Sequence, residues 1–235
     1  TIAANTPAGT YTVGITVTDS SGYTKEATYT IKVGKAESTS SVTIEGTNEY
    51  GSKLTANVNT NSDGAKTYQW YSNDNESTTG GTQISGATGQ EYTVGDGLVG
   101  KYIYVVVTIA DGTNYKGTTV KDKTDSTNNG TAKVEAKEIT VTWNEPYTWE
   151  YDGASHAPTV TTPVTGINGE SVNIEVSGAQ SNAGSHTATA SIANVDGAQT
   201  KVGDYKLKSN TKEFTITNAS MTGSVIITGT NKEGQ

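Results

Sequence analysis

Two histidines, His156 and His186, are the side chains here best placed by type to act as neutral bases, and the chain has no cysteine to serve as a thiol nucleophile. Nucleophilic catalysis needs a base beside its nucleophile. The two rings fall in different segments, and His186 stands where a related segment has Tyr11, so it reads as a ring on a strand surface. Sugar cleavage would need two carboxylates facing each other across a groove. No spacing marks such a pair, and Glu150, in T-W-E, is a lone outward residue beside an inward Trp149. The sequence therefore predicts no catalytic residue and no enzyme.

Two binding chemistries remain. Asp19-Ser20-Ser21-Gly22, Asn61-Ser62-Asp63-Gly64, Asn73-Asp74-Asn75-Glu76 and Asp111-Gly112 are oxygen-rich loops of the kind calcium uses. None has the EF-hand spacing, and the same residue types are ordinary turn formers. No metal ligand is assigned, and the only cofactor the composition admits is calcium at inter-domain loops, the stretch 121–130 being the favoured place. The second chemistry is stacking on sugar rings. Tyr147, Trp149 and Tyr151 alternate along one stretch, and they are either an exposed platform for a glycan or the inward face of a strand.

The elements that must position these residues follow from the totals and the pattern. The chain has 235 residues, 27 glycines, 32% hydrophobic and 17% charged residues, and a net charge of −8. That is too much β-branched and aromatic residue for disorder and too little apolar residue for one large core, so several small sandwiches are expected. Every basic residue is lysine. An acidic chain without the bidentate guanidinium fork excludes nucleic acid as a partner. No apolar run approaches the roughly 20 residues of a membrane span, so insertion of this segment is excluded too. With no signal peptide or initiating methionine, the chain reads as an internal piece of a longer protein, and its Thr/Ser/Asn/Gly-rich β composition points outside the cell.

Residues 10–18 (T-Y-T-V-G-I-T-V-T) and 27–33 alternate with a period of two about the turn Asp19-Ser20-Ser21-Gly22, and so predict a hairpin. Residues 1–36 are read as the closing strands of a truncated domain. A complete domain is expected over 37–134, with strands at 41–44, 51–58, 65–72, 91–94, 97–108 and 115–120, and 121–130 as a polar loop or linker. A second is expected over 135–218: Ile139, Val141 and Trp143 share a face of its opening strand, and later strands fall at 172–176, 186–192 and 213–217. Residues 224–235 (S-V-I-I-T-G-T-N-K-E-G-Q) realign on 41–52 (S-V-T-I-E-G-T-N-E-Y-G-S) at seven of twelve positions. Residues 219–235 are accordingly read as the first strand of a further repeat, and the whole as an array.

In an immunoglobulin domain a strand-C Trp packs on a disulfide, with a Tyr two residues before the second Cys. Trp70 matches that Trp, Val58 and Tyr104 stand where the two cysteines would be, and Tyr102 stands at the tyrosine corner. With "YQWY", "ISGATGQEYTV" and "VGKYIYVVVT", residues 37–134 resemble the disulfide-free Ig-like repeats of long Gram-positive surface and secreted proteins. The departure is Leu98, where many such domains carry Asp. "TWEYDGASHAP", "NAGSHTATA" and "KEFTIT" are similar to the MBG type, bacterial Ig-like domains with a Y-D-G signature. The resemblance implies tandem immunoglobulin-like β-sandwiches in an elongated array, with Val58, Trp70, Tyr102, Tyr104 and Trp143 in the cores. It further implies a secreted or cell-surface stalk that presents other domains, with neighbouring repeats as partners. The alternative is a module binding a host glycan or protein.

Overall fold

A computed structural model describes residues 3, 5–226 and 228–229. The protein is all-β, with several sheets. It divides into two compact units, Thr1–Lys137 and Glu138–Gln235.

Unit 1 opens with the expected hairpin, β1 (Gly9–Thr18) and β2 (Thr24–Val33), paired from Gly9↔Val33 to Thr18↔Thr24. The Asp19 carboxylate closes its turn by accepting the N–H groups of Ser21 (2.8 Å) and Tyr23 (2.9 Å). Strand alternation sends Tyr11, Val13, Ile15, Ala27, Tyr29 and Ile31 to one face. Tyr11 and Ile31, near the base, are half-buried, and Val13, Ile15 and Tyr29 are exposed. The hairpin is tied to the rest of unit 1 at its base: Ala8 N–H donates to Asn114 Oδ1 (2.9 Å), and Ala36 N–H to the Asn114 carbonyl (2.8 Å).

The rest of unit 1 is two facing sheets. One holds β3 (Ser40–Glu45), β4 (Lys53–Thr60) and a third strand; the other holds β5 (Lys66–Asn73), β6 (Thr82–Gln83) and two more. The third strand of the first sheet is β7 (Glu91–Thr93), giving the order β3-β4-β7. The second is completed by β8 (Tyr102–Ile109) and β9 (Thr118–Lys123), in the order β6-β5-β8-β9. All pairings within them are antiparallel. Trp70 is fully buried at the centre, packed with Val42 and Ile44 of β3, Leu54 and Ala56 of β4, and Ile103, Val105, Val107 and Ile109 of β8. Its indole N–H donates to the Gly89 carbonyl at 2.9 Å, which removes the cost of burying a polar group. Each fully buried aliphatic contributes about 1.5–3 kcal/mol.

The expectations for Tyr104, Tyr102, the linker and one strand boundary are corrected here. Tyr104 is buried, but it does not lie between the sheets beside Trp70. Trp70 pairs with Val105, and Tyr104 pairs with Tyr71 on the opposite face. There the two tyrosine rings stack at 4.7 Å, under Gly81, where an added Cβ would sit 2.6 Å from the Tyr104 ring. Val58 packs against the Trp70 core, half-buried, and Ala56 of the same strand is fully buried there. Tyr102 makes no hydroxyl bond of the tyrosine-corner kind among the described contacts; its half-buried ring carries the Lys133 ammonium 5.3 Å from its centroid. Residues 121–130 are not a linker. Lys121, Asp122 and Lys123 belong to β9, and the rest folds back so that Asn129, fully buried, donates from Nδ2 to the carbonyls of Ile44 (3.2 Å) and Gly46 (3.1 Å). The eighth strand also starts later than residue 97, because 98–101 form a turn closed by Lys101 N–H on the Leu98 carbonyl.

In unit 2 the expected opening strand is two short ones, β10 (Lys137–Thr140) and β11 (Trp143–Asn144). They are followed by β12 (Thr148–Glu150), β13 (Thr159–Val160), β14 (Val164–Thr165), β15 (Ser171–Ser177), β16 (Gly184–Val195), β17 (Tyr205–Lys208) and β18 (Thr211–Thr217). A five-stranded sheet, β12-β18-β16-β15-β14, faces two ribbons, β10-β17 and β11-β13. The contact of β12 with β18 is parallel, pairing Trp149 with Ile216. Trp143 packs, half-buried, against both apolar clusters of the unit. Residues 218–226 form no strand; the remainder of the strand expected over 219–235 includes residue 227 and residues 230–235, which lie outside the described residues.

Candidate functional site

The aromatic stretch around β12 is where a ligand was most to be expected. Tyr147 precedes the strand, donates its hydroxyl to the Trp143 carbonyl (2.8 Å), and has the Lys212 ammonium 3.8 Å from its ring centroid. Trp149 is half-buried. Phe214 meets it edge-on at 5.7 Å and 88°, and the His156 ring stacks on it at 5.4 Å and 20°. Tyr151 alone of the three is exposed, at 45%. Lys212 thus lies against the Tyr147 ring, and Phe214 and His156 lie against the Trp149 ring.

The two histidines, far apart in sequence, flank the same pair of rings. His186 lies 5.5 Å from Phe214, its cross-strand partner in β18. Its Nε2 is 2.7 Å from the Asn182 carbonyl and must carry the proton there, since a carbonyl only accepts. His156 Nε2 lies 2.8 Å from Asp152 Oδ1, and its backbone pairs in both directions with Gln180. The Asp152 carboxyl is held below its ordinary range, first by the His156 bond and then by the Ala154 N–H. No hydroxyl is bonded to either ring among the described contacts. Both rings pack against an aromatic neighbour and hold a hydrogen bond at Nε2.

The oxygen-rich loops are likewise engaged. Asp63 accepts from the Thr113 hydroxyl (2.6 Å) and the Thr113 N–H (2.8 Å), which lower its pKa in that order. Asp111 accepts from the Gly117 N–H and from Lys35, and its pKa is also lowered. Asp125 caps its own turn through the N–H groups of Asn128 and Thr127. Asp74 and Glu76 pair with Lys101 and Lys123. Calcium requires six to eight oxygens turned inward, whereas these carboxylates are turned toward N–H and ammonium donors. No group of three metal-capable side chains occurs among the described residues.

Sequence reasoning missed two polar clusters. In unit 1, Asn48, Thr124 and Asn129 are buried together. Asn48 Nδ2 donates to the Ala132 carbonyl (3.0 Å), and the Thr124 hydroxyl donates to the same carbonyl (2.7 Å). A signal was present for Asn48, since the repeat of 41–52 at 224–235 keeps G-T-N intact. In unit 2, Glu170 is buried against Lys201 Nζ and the Tyr205 hydroxyl, and Tyr205 also accepts the Ile167 N–H at 2.7 Å. No local pattern marks this cluster, because its members lie 31 and 35 residues apart. No protein-family model matches the chain, and no curated protein matches it.

Proposed function

We propose that this chain is a spacer: consecutive immunoglobulin-like β-sandwiches that hold other domains apart, or build a fibre, on the outside of a bacterial cell. The observation that carries the reading is that, Tyr151 apart, the side chains best suited to bind a ligand are engaged within their own unit. Trp149 is packed between Phe214 and His156, and the loop carboxylates are held by N–H groups and lysines. What remains is two separately folded units with an acidic surface, which suits a solvated rod.

The immunoglobulin-like assignment has support from strand order. Reading β3, β4, β5, β7, β8 and β9 as strands A, B, C, E, F and G puts A-B-E in one sheet and C-F-G in the other. Ala56 and Val105, both fully buried against Trp70, then fill the volume of the missing disulfide.

A glycan and mucin binding screen on this chain tests the proposal, with Trp149→Ala and Tyr151→Ala alongside. The spacer reading expects no binding at high protein concentration. Binding that is lost in either variant while the fold is retained would overturn it and make the second unit an adhesive module for a glycan or host protein.

A further inference from the structure

A backbone nitrogen can attack the side-chain carbonyl carbon of a preceding Asn or Asp, most readily when it belongs to glycine, which has no side chain in the way. Asp63, Asp96, Asp111, Asn129, Asp152, Asn168 and Asp196 each precede a glycine. In all of these but Asn168 the group to be attacked is held. The five carboxylates accept bonds from Thr113, Tyr50, Gly117, Ala154 and Ser171 in turn. Asn129 is buried, with Nδ2 on the carbonyls of Ile44 (3.2 Å) and Gly46 (3.1 Å) and Oδ1 on the Asp125 N–H (3.0 Å).

Asn168 stands with Gly169 at the tip of the turn Ile167–Gly169, between β14 and β15, and both residues are exposed. Its backbone is left-handed (φ 53°, ψ 22°), a conformation Asn tolerates, and its carboxamide has no bond among the described contacts. A Cβ built on Gly169 would meet nothing within 4 Å, so the space around the pair is open. The turn closes below them, through Gly166 N–H on the Glu170 carbonyl (2.7 Å) and Glu170 N–H on the Ile167 carbonyl (3.0 Å). Both flanks are anchored on one group, the Tyr205 hydroxyl, which takes the Ile167 N–H at 2.7 Å and donates to the Glu170 carboxylate.

We propose that Asn168 is a modification site, converted to aspartate and isoaspartate by its neighbour's nitrogen and water, and that the conversion loosens unit 2. The Gly169 nitrogen, its proton lost to hydroxide, bonds to Asn168 Cγ; the Cγ–Nδ2 bond breaks and ammonia leaves. Water then opens the cyclic imide. Opening at Cγ leaves aspartate, and opening at the main-chain carbonyl leaves isoaspartate, so an amide and water become a carboxylate and ammonium. The isoaspartyl product adds a methylene to the backbone between Ile167 and Glu170, whose spacing the Tyr205 hydroxyl fixes. The lengthened turn draws Glu170 away from Tyr205 and Lys201. None of this rests on the spacer reading, and it can fail while that reading stands.

The test holds the full chain, folded, at mildly alkaline pH and follows each asparagine by peptide mapping and mass spectrometry. Asn168 is expected to convert at least about tenfold faster than Asn129, because freeing Asn129 first breaks the bonds that hold its carboxamide. In urea the two rates are expected to converge. Equal rates in the folded chain, or no conversion at Asn168 while the unfolded chain converts there, overturn the proposal. Asn168→Gly removes the carboxamide and keeps a residue at ease with the left-handed backbone. On ageing, the parent is expected to lose several degrees in the melting temperature of unit 2 with unit 1 unmoved, and the variant to lose none. A loss of the same size in the variant, or no loss in a converted parent, overturns it.

Discussion

In unit 1, Trp70 sits in one continuous apolar cluster supplied by both sheets. Unit 2 spreads its buried apolar residues more widely: Val141, Val160, Ile174 and Ala190 form one cluster, Ala188, Phe214 and Ile216 another, and Ile139, Val172, Val195 and Tyr205 are buried besides. Half-buried Trp143 and Val176 touch both of the latter clusters. The sheets explain the difference. A three-stranded and a four-stranded sheet can cover each other across unit 1, but the five-stranded sheet of unit 2 faces only two short ribbons. A narrow second layer leaves part of the sheet to be closed by other means, here the row His156, Trp149, Phe214 and His186 and the buried Glu170–Tyr205–Lys201 cluster. Unit 1 gathers its apolar volume around one indole, and unit 2 adds aromatic and charged contacts at its margins.

The largest effect expected from this contrast is at Trp70. Trp70→Ala removes the side chain that both sheets of unit 1 share, a loss of about 3–5 kcal/mol for a buried Trp, which is most of a small domain's stability. Calorimetry should show the transition of unit 1 lowered or abolished and that of unit 2 unmoved. If both transitions fall together, the two units do not close independently and the comparison fails. Next in size is Glu170→Gln in unit 2. The substitution keeps the shape but removes the Glu170 charge from beside the Lys201 ammonium and the Tyr205 hydroxyl. Breaking a buried pair from one side costs about 3 kcal/mol, reduced here to about 2 because Lys201 is partly exposed. The second melting transition should drop and the first stay, and a change below the resolution of the melt would mean that apolar packing alone holds unit 2.

What could be read from the sequence was what alternation decides. The hairpin's two faces, the burial of Trp70 and the turn at Asp19 all follow from period-two spacing and turn chemistry, and all appear in the structure. Tyr104 was misplaced because residues 102–109 are apolar on both faces, so alternation is silent there and only the pairing of Trp70 with Val105 fixes the side. Residues 124–130 looked like a linker because they are polar. Their order comes from carbonyls 83 and 85 residues away, which composition cannot show. The aromatic stretch around Trp149 left platform and inward face undecided for the same reason. Its alternation was visible, but Phe214, His156 and Lys212, the groups that cover it, come from elsewhere in the chain.

The smallest expected effect sharpens the claim about margins. Asp152 is exposed, and its carboxyl is held below the usual value first by His156 and then by the Ala154 N–H. A carboxylate whose folded pKa is depressed contributes stability that is fully present above its unfolded value of 3.8 and is lost as pH falls through the folded value. The contribution therefore disappears only in the acid range below about 4. Asp152→Asn should lower the melting temperature of unit 2 slightly at neutral pH and leave it almost unchanged at the acid end, so that parent and variant converge as pH falls. Convergence would place the Asp152–His156 contact among the polar ties that close this unit. A constant offset across the whole range would show that the turn's backbone geometry, and not the charge, is what Asp152 supplies.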